Sequence, residues 1–286
     1  MVSLSQQTRL ALGELGGRPR KRFGQNFLVD ANVVSRMIQA ANIDPTDTVL
    51  EIGPGLGVLS ESLVGLSWRL YLVEIDTLLA ERLRQRFVQC ANVHIVTADF
   101  LSLDLNSTFS EAPIHVVASL PYNVAMPILF RLLEHRRQFP VATIMLQKEV
   151  AERLSAKPGT KEYGALTVLM QLYATITKVL TVQPGSFFPV PKVQSQVVKM
   201  IFQEAPRVAV QDEHLFRHVV KAAFAQRRKT LRNTLKAAGY NELEAVSARV
   251  GIDLQRRGET LSVEEFAKLA NAFGEGSETG TPGLSP

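Results

Sequence analysis

Five short apolar runs between residues 48 and 145 constrain the fold of this 286-residue chain most. They are Thr48–Ile52, Leu70–Val73, Val93–Val96, Ile114–Ala118 and Val141–Met145. Runs of this length, rich in β-branched residues and bounded by breakers, read as strands. Between them lie helical stretches. Leu56 to Val64 suits a short helix, Asp76 precedes an amphipathic helix to about Gln89, and a further helix opens at Asn123 with Pro127 early in it. Asp30 is placed to cap an earlier helix through about Ala41. This strand and helix order predicts an α/β fold, a mostly parallel sheet with helices on both faces.

Beyond Gln147 the pattern loosens. Tyr173–Val182 and Val193–Phe202 have β character and could close an antiparallel edge. The connection between them, Gln183 to Pro191, holds Phe187 and Phe188 among prolines and a glycine, and could cover a site. Residues 205–211 read as a linker. Small helices follow at His214–Arg227, Thr230–Ala238, Glu242–Ala248 and Val263–Phe273, with Ser262 and Glu265 forming a capping-box pattern. The expected organisation is a flexible lead over 1–17, a large domain over 18–204, a helical domain over 205–274 and a disordered tail over 275–286.

A hydrophobic content of 46% supports a substantial core. Cys90 is the only cysteine, so no disulfide forms within a monomer, and a reducing compartment is expected. One thiol and five histidines without a His-x-x-x-His spacing predict no metal site. No uninterrupted apolar stretch is long enough to cross a bilayer, and the first 17 residues lack a signal core, so the expected location is the cytoplasm. The net charge of +5 is mild, but two clusters stand out: Arg18 to Arg22, and Arg227-Arg228-Lys229 with Arg232 and Lys236. Each is either a solvated surface or a phosphate-binding patch.

The segment Glu51-Ile52-Gly53-Pro54-Gly55-Leu56-Gly57 lies where a strand becomes a helix. Glycines there permit tight dihedrals and close ligand approach. The Gly-x-Gly-x-Gly spacing differs from the dinucleotide fingerprint. Glu74 ends the next strand and can accept from ribose hydroxyls. Asp99 ends the third, where it can accept from an adenine amine or merely cap its loop. Asn26 and Leu28 are weaker candidates for enclosing the cofactor's other end. Together these residues suit S-adenosylmethionine. At the end of the fourth strand, Ser119-Leu120-Pro121-Tyr122 suits an exocyclic amine. The Ser119 hydroxyl and Leu120 carbonyl can accept from the two amine hydrogens, Tyr122 can stack on the base, and Phe187 can contact its other face. Plainer roles remain open: Tyr122 as a core aromatic at a helix start, and Phe187 as a loop anchor.

With these pieces in place the chain resembles the bacterial small-subunit ribosomal RNA adenine dimethyltransferase family, the enzymes linked to kasugamycin sensitivity. The resemblance spans roughly residues 18–273. It rests on Arg20 to Leu28, Glu51 to Gly55, Ser119 to Asn123, Leu146 to Val150, Phe187 to Val193 and Ala223 to Asn233. It implies a Rossmann-like class I methyltransferase sheet with a small C-terminal all-helical domain. It also implies four methyl transfers, giving N6,N6-dimethyladenine at two adjacent adenines near the 3′ end of small-subunit rRNA. The expected partner is the immature small ribosomal subunit, and a monomer is expected. By the same resemblance Arg20, Lys21, Arg22, Arg227, Arg228, Lys229 and Arg232 are RNA-contact candidates, though some could instead pair with acids and stabilise the small domain.

Two positions depart from the family pattern. Ser119 stands where the family typically has asparagine, and Gln194 where it often has aspartate. The alternatives are a large-subunit rRNA adenine methyltransferase of the macrolide-resistance type and an RNA-binding assembly factor without useful catalysis. A nicotinamide-dependent oxidoreductase would explain the sheet but not Ser119–Tyr122.

Overall fold

In the computed structural model, which describes residues 3–14, 23–109, 111–226 and 228–276, all five apolar runs are strands. The chain opens with α1 (Leu4–Glu14), β1 (Phe27–Leu28) and α2 (Ala31–Ala41). It alternates through β2 (Thr48–Ile52), α3 (Ser60–Leu63), β3 (Arg69–Glu74), α4 (Thr77–Arg86), β4 (Val93–Thr97), α5 (Leu105–Thr108), β5 (Ile114–Ser119), α6 (Ala125–Glu134) and β6 (Val141–Gln147). There follow α7 (Lys148–Leu154), α8 (Ala165–Gln171), β7 (Ala174–Val182), β8 (Phe187–Phe188) and β9 (Ser195–Phe202). The chain ends with α9 (Glu213–Phe224), α10 (Leu231–Ala237), α11 (Leu243–Val250) and α12 (Val263–Gly276).

Two compact units emerge, and they differ from the expected division at residue 205. One comprises Met1–Ala151 with Thr175–Gln203, and the other Glu152–Ala174 with Glu204–Pro286. The correction concerns Glu152–Ala174, which the sequence places between two sheet strands. This segment folds with the helices because its apolar side chains bury there. Tyr163 is 1% exposed, and its ring lies 6.1 Å from that of Phe224. The Gly159 N–H donates to the Glu259 carbonyl at 2.7 Å, and Arg207 N–H to Leu172 at 2.8 Å.

The first unit carries a seven-stranded sheet of order β4-β3-β2-β5-β6-β9-β7. Strands β2 to β6 pair in parallel, and β9 runs antiparallel to β6 from Gln147↔Ser195 to Val141↔Ile201. The antiparallel closure matches the expectation for residues 193–202. Alternation along β3 shows both faces covered. Leu70 and Leu72 turn into a buried cluster with Val33, Val34 and Met37 of α2. Tyr71, between them, meets the ring of Phe109 edge-on at 5.0 Å on the opposite face. The capping expectation holds at α2, and Asp76, expected only to precede a helix, caps α4 in the same way. Asp30 accepts from Asn32 N–H at 3.0 Å, and Asp76 from Leu78 N–H at 3.0 Å.

The expected flexible lead is not what residues 4–14 form. Helix α1 buries Ala11 and Leu12 against Phe27, Leu56 and Leu79, and Phe188 packs on the same cluster. The Arg9 guanidinium lies 5.1 Å from the centre of the Phe188 ring, and Glu14 pairs with Arg82 at 2.6 Å. Residues 15–17, and 277–286 of the expected tail, lie outside the described residues.

In the second unit, α9 packs on α8, α10 and α12 around Phe216, Val219 and Phe266, each fully buried. Ser262 and Glu265 close the expected capping box: Glu265 N–H donates to Ser262 Oγ at 3.2 Å, and Ser262 N–H to Glu265 Oε2 at 2.8 Å.

Candidate active site

Strand order reverses direction between β2 and β5. From β2 the chain moves outward through β3 and β4, then returns to add β5 and β6 on the other side. Ligands of open α/β sheets settle at the carboxyl ends of strands at such a switch. Here those ends carry Gly53 and Ser119, and a cleft opens above them. Its lining includes Asn26, Leu28, Gly53, Gly55, Glu74, Ser119, Leu120, Tyr122 and Phe187. All but one of the sequence-predicted cofactor and catalytic residues therefore meet in one place.

The exception is Asp99. Its Oδ1 accepts from Leu101 N–H at 2.9 Å within its own turn, the residue is exposed, and it is not among the cleft-lining residues. It follows β4, the edge strand, two strand spacings from β2. The loop-capping role is filled by Oδ1, and capping with one oxygen is compatible with an adenine contact by the other.

The glycine loop is shaped for close approach. Gly53, Gly55 and Gly57 have φ of +68°, +59° and +82°, where a Cβ is strained. A Cβ on Gly55 would also lie 3.2 Å from the Phe27 ring. Glu74 fixes this loop from below: its Oε2 accepts from Gly55 N–H at 3.0 Å and its Oε1 from Asp76 N–H at 2.9 Å. Burial raises the Glu74 carboxyl above its ordinary value, and the two amide donors oppose that rise. A carboxylate holds about four lone-pair sites, so each oxygen retains capacity for a ribose hydroxyl. The cradle and its acceptor thus fit a nucleoside-bearing cofactor. No group of three His, Cys, Asp or Glu capable of holding a metal occurs among the described residues.

Glu51 sits deeper in the same cleft, 1% exposed, and accepts from Ser60 Oγ at 2.5 Å. Desolvation pushes its carboxyl up to about 8, against the pull of the Ser60 hydroxyl. The folded chain therefore retains a proton that the unfolded chain releases near 4.5. This group's contribution to stability is full below that value and is lost as pH rises through about 8, by up to about 5 kcal/mol. Glu51→Gln keeps an acceptor for Ser60 and removes the ionisation. Calorimetry from pH 5 to 9 should show a flatter stability profile and a higher Tm at pH 8 in the variant. An identical pH slope in both proteins would exclude Glu51 as its source.

On the β5 side of the cleft, Ser119 ends β5 in register with Met145, and Leu120 N–H donates to the Met145 carbonyl at 3.2 Å. Pro121 O accepts from Val124 N–H at 3.2 Å, which turns the chain into α6. The Tyr122 hydroxyl lies 2.7 Å from Ser195 Oγ, and burial raises its pKa. Phe187 reaches the cleft from β8, which pairs with β1 through Leu28↔Phe187. This short two-stranded ribbon brings residues 27–28 and 187–188 together, a link invisible at their separation in sequence. Reading the sequence also missed Ser195, Phe27, Ile75 and Met145 in the lining. Ser195 carried no local signal, because its tyrosine partner is 73 residues away. Gln194, the second departure, accepts from Lys148 Nζ at 3.0 Å and donates to Gln183 at 2.9 Å, and it is not among the lining residues.

The basic candidates are resolved unevenly. Arg20, Lys21, Arg22 and Arg227 lie outside the described residues. Arg228 and Lys229 are exposed in the turn between α9 and α10. Arg232 pairs with Glu244 of α11 at 2.5 Å, both side chains largely exposed, which is the acid pairing the sequence also allowed.

A sequence model of the family described as "Ribosomal RNA adenine dimethylase" matches residues 16–275. The chain belongs to that family. Among its relatives, a ribosomal RNA small subunit methyltransferase A of Syntrophotalea carbinolica is 49% identical over 255 residues, covering 88% of this chain and 96% of its own. A protein of the same name from Clostridium botulinum is 44% identical, over 88% of this chain and 93% of its own. Among solved structures, a dimethyladenosine transferase from Plasmodium falciparum superposes with a TM-score of 0.77 at 28% identity, over 87% of this chain and 98% of its own. The 23S rRNA methyltransferase ErmE does so at 0.68 and 26% identity, over 87% of this chain and 100% of its own. The fold is therefore a class I Rossmann-like methyltransferase sheet with a C-terminal helical bundle, and the family is one of S-adenosylmethionine-dependent rRNA adenine methyltransferases.

Proposed function

We propose that this chain methylates N6 of two adjacent adenines near the 3′ end of small-subunit rRNA, completing N6,N6-dimethylation on the immature small subunit as a cytoplasmic monomer. The observation that carries the reading is the meeting of Ser119–Tyr122 with Gly53, Gly55 and Glu74 in one cleft at the switch point. Relatives named small subunit methyltransferase A, 41–49% identical, support the small-subunit target over the large-subunit one.

S-adenosylmethionine, when bound, supplies an electrophilic methyl group. The protein's own work is recognition and orientation. The glycine loop and Glu74 hold the nucleoside, while Asn26 and Leu28 line the cleft beside them. The N6 lone pair of adenine is delocalised into its ring, which makes the nitrogen a weak nucleophile. The Ser119 hydroxyl and Leu120 carbonyl accept from its hydrogens and favour the tetrahedral form in which the lone pair is free. Tyr122 stacks on the base and Phe187 closes its other side. A loop base reaches such a slot at low cost, since it is already unstacked. Arg228 and Lys229, exposed between α9 and α10, are candidates to meet phosphate.

Mass spectrometry of rRNA from unmodified immature small subunits, incubated with the protein and S-adenosylmethionine, tests this reading. Two adjacent N6,N6-dimethyladenines are expected. Monomethyladenine alone would point to restricted turnover. Absence of methylation, with cofactor and particle both bound, would favour a noncatalytic assembly role.

A further inference from the structure

We propose that Ser195 is a positioning residue, which sets the plane of the Tyr122 ring through the hydrogen bond between their hydroxyls. The inference rests on the proposed base-methylating function and adds a residue to it. Tyr122 is held at its backbone end by the Pro121 turn, closed by Val124 N–H on the Pro121 carbonyl. Its far end is held by Ser195 Oγ at 2.7 Å. A ring fixed only at Cα swings about two side-chain torsions, whereas one fixed at both ends keeps a single plane.

Ser195 suits that task because it cannot move. It is fully buried and is the first residue of β9, in register with Gln147 of β6. The preceding residue is held as well, since the Gln194 carbonyl accepts from Lys148 N–H at 3.0 Å. The antiparallel pairing of β9 with β6 thereby reaches across to a side chain that follows β5. Both residues line the cleft, with Phe187 on β8. Stacking holds a base in one plane only when the ring itself keeps one plane, so the orientation set by Ser195 acts on the alignment of N6 in the chemical step.

The test is a double-mutant cycle on methylation of immature small subunits under single-turnover conditions. Ser195→Ala and Tyr122→Phe each remove one side of the same hydrogen bond. Each should lower the rate of the chemical step about tenfold, the worth of one hydrogen bond, while the Kd for S-adenosylmethionine stays unchanged. The double variant should be no slower than either single one, because the two residues act through one contact. A merely structural role for Ser195 predicts losses that multiply. Should Ser195→Ala fail to fold, Tyr122→Phe decides alone, since it leaves the buried serine in place. Full rate in Tyr122→Phe, or multiplying losses, overturns the inference while the unmodified protein still methylates. No methylation by the unmodified protein overturns the function beneath it, and the inference with it.

Discussion

Glu74→Ala is expected to weaken S-adenosylmethionine binding by a hundredfold or more and to lower the stability of the free protein. The Glu74 carboxylate does two jobs. It satisfies the Gly55 and Asp76 amides at 3.0 and 2.9 Å, and it is a buried acceptor lining the cleft proposed to take the cofactor. Truncation leaves both amides without their partner, at about 1–3 kcal/mol for each that stays buried. It also removes hydrogen bonds to a charged acceptor, each worth about 1.5–3 kcal/mol, and two of them amount to roughly a hundredfold or more in Kd. Titration calorimetry should show the same loss for S-adenosylmethionine and S-adenosylhomocysteine, which share the nucleoside that Glu74 would hold. An unchanged Kd for both would remove Glu74 from the cofactor site. A loss for one ligand only would place it near the sulfur instead.

Tyr122→Ala should lower kcat/KM for methylation roughly a hundredfold or more. Base stacking on an aromatic ring contributes about 1–3 kcal/mol, and the alanine also leaves the Ser195 hydroxyl, 2.7 Å away in the native cleft, without its partner. The effect should exceed that of Tyr122→Phe, which keeps the ring and loses only the hydroxyl. Cofactor Kd should be the same in all three proteins. Comparable rates for Tyr122→Ala and Tyr122→Phe would assign the hydroxyl, rather than the ring face, the dominant part. Wild-type activity in the alanine variant would make Tyr122 a plain helix-start aromatic.

Both residues could be picked out without coordinates because they stand at strand ends, and strands are local. A run such as Leu70–Val73 announces itself by composition, and the residue that ends it, Glu74, follows by position. Gly53, Gly55, Ser119 and Tyr122 were legible for the same reason. Asp99 obeyed the same rule, yet its Oδ1 turns to the Leu101 amide in its own loop, a local competitor that strand position does not reveal. The helical lead shows a second limit. Residues 4–14 have few charges and no long apolar core, yet Ala11 and Leu12 bury against Phe27, Leu56 and Leu79, partners that only the folded chain supplies.

The sequence by itself determined the strands of the large sheet, most of the helices between and after them, the helix cap at Asp30 and the residue types at the strand ends, since each depends on a few adjacent dihedrals and side chains. Tertiary structure alone decided the assignments that rest on distant contacts. Glu152–Ala174 joined the helices by burying Tyr163 beside Phe224. Arg232 was paired with Glu244. Phe187 was carried to Leu28, and Ser195 to Tyr122, across gaps that no periodicity spans. Such pairings follow from how strands order themselves and which surfaces bury together, and those are properties of the whole packed chain.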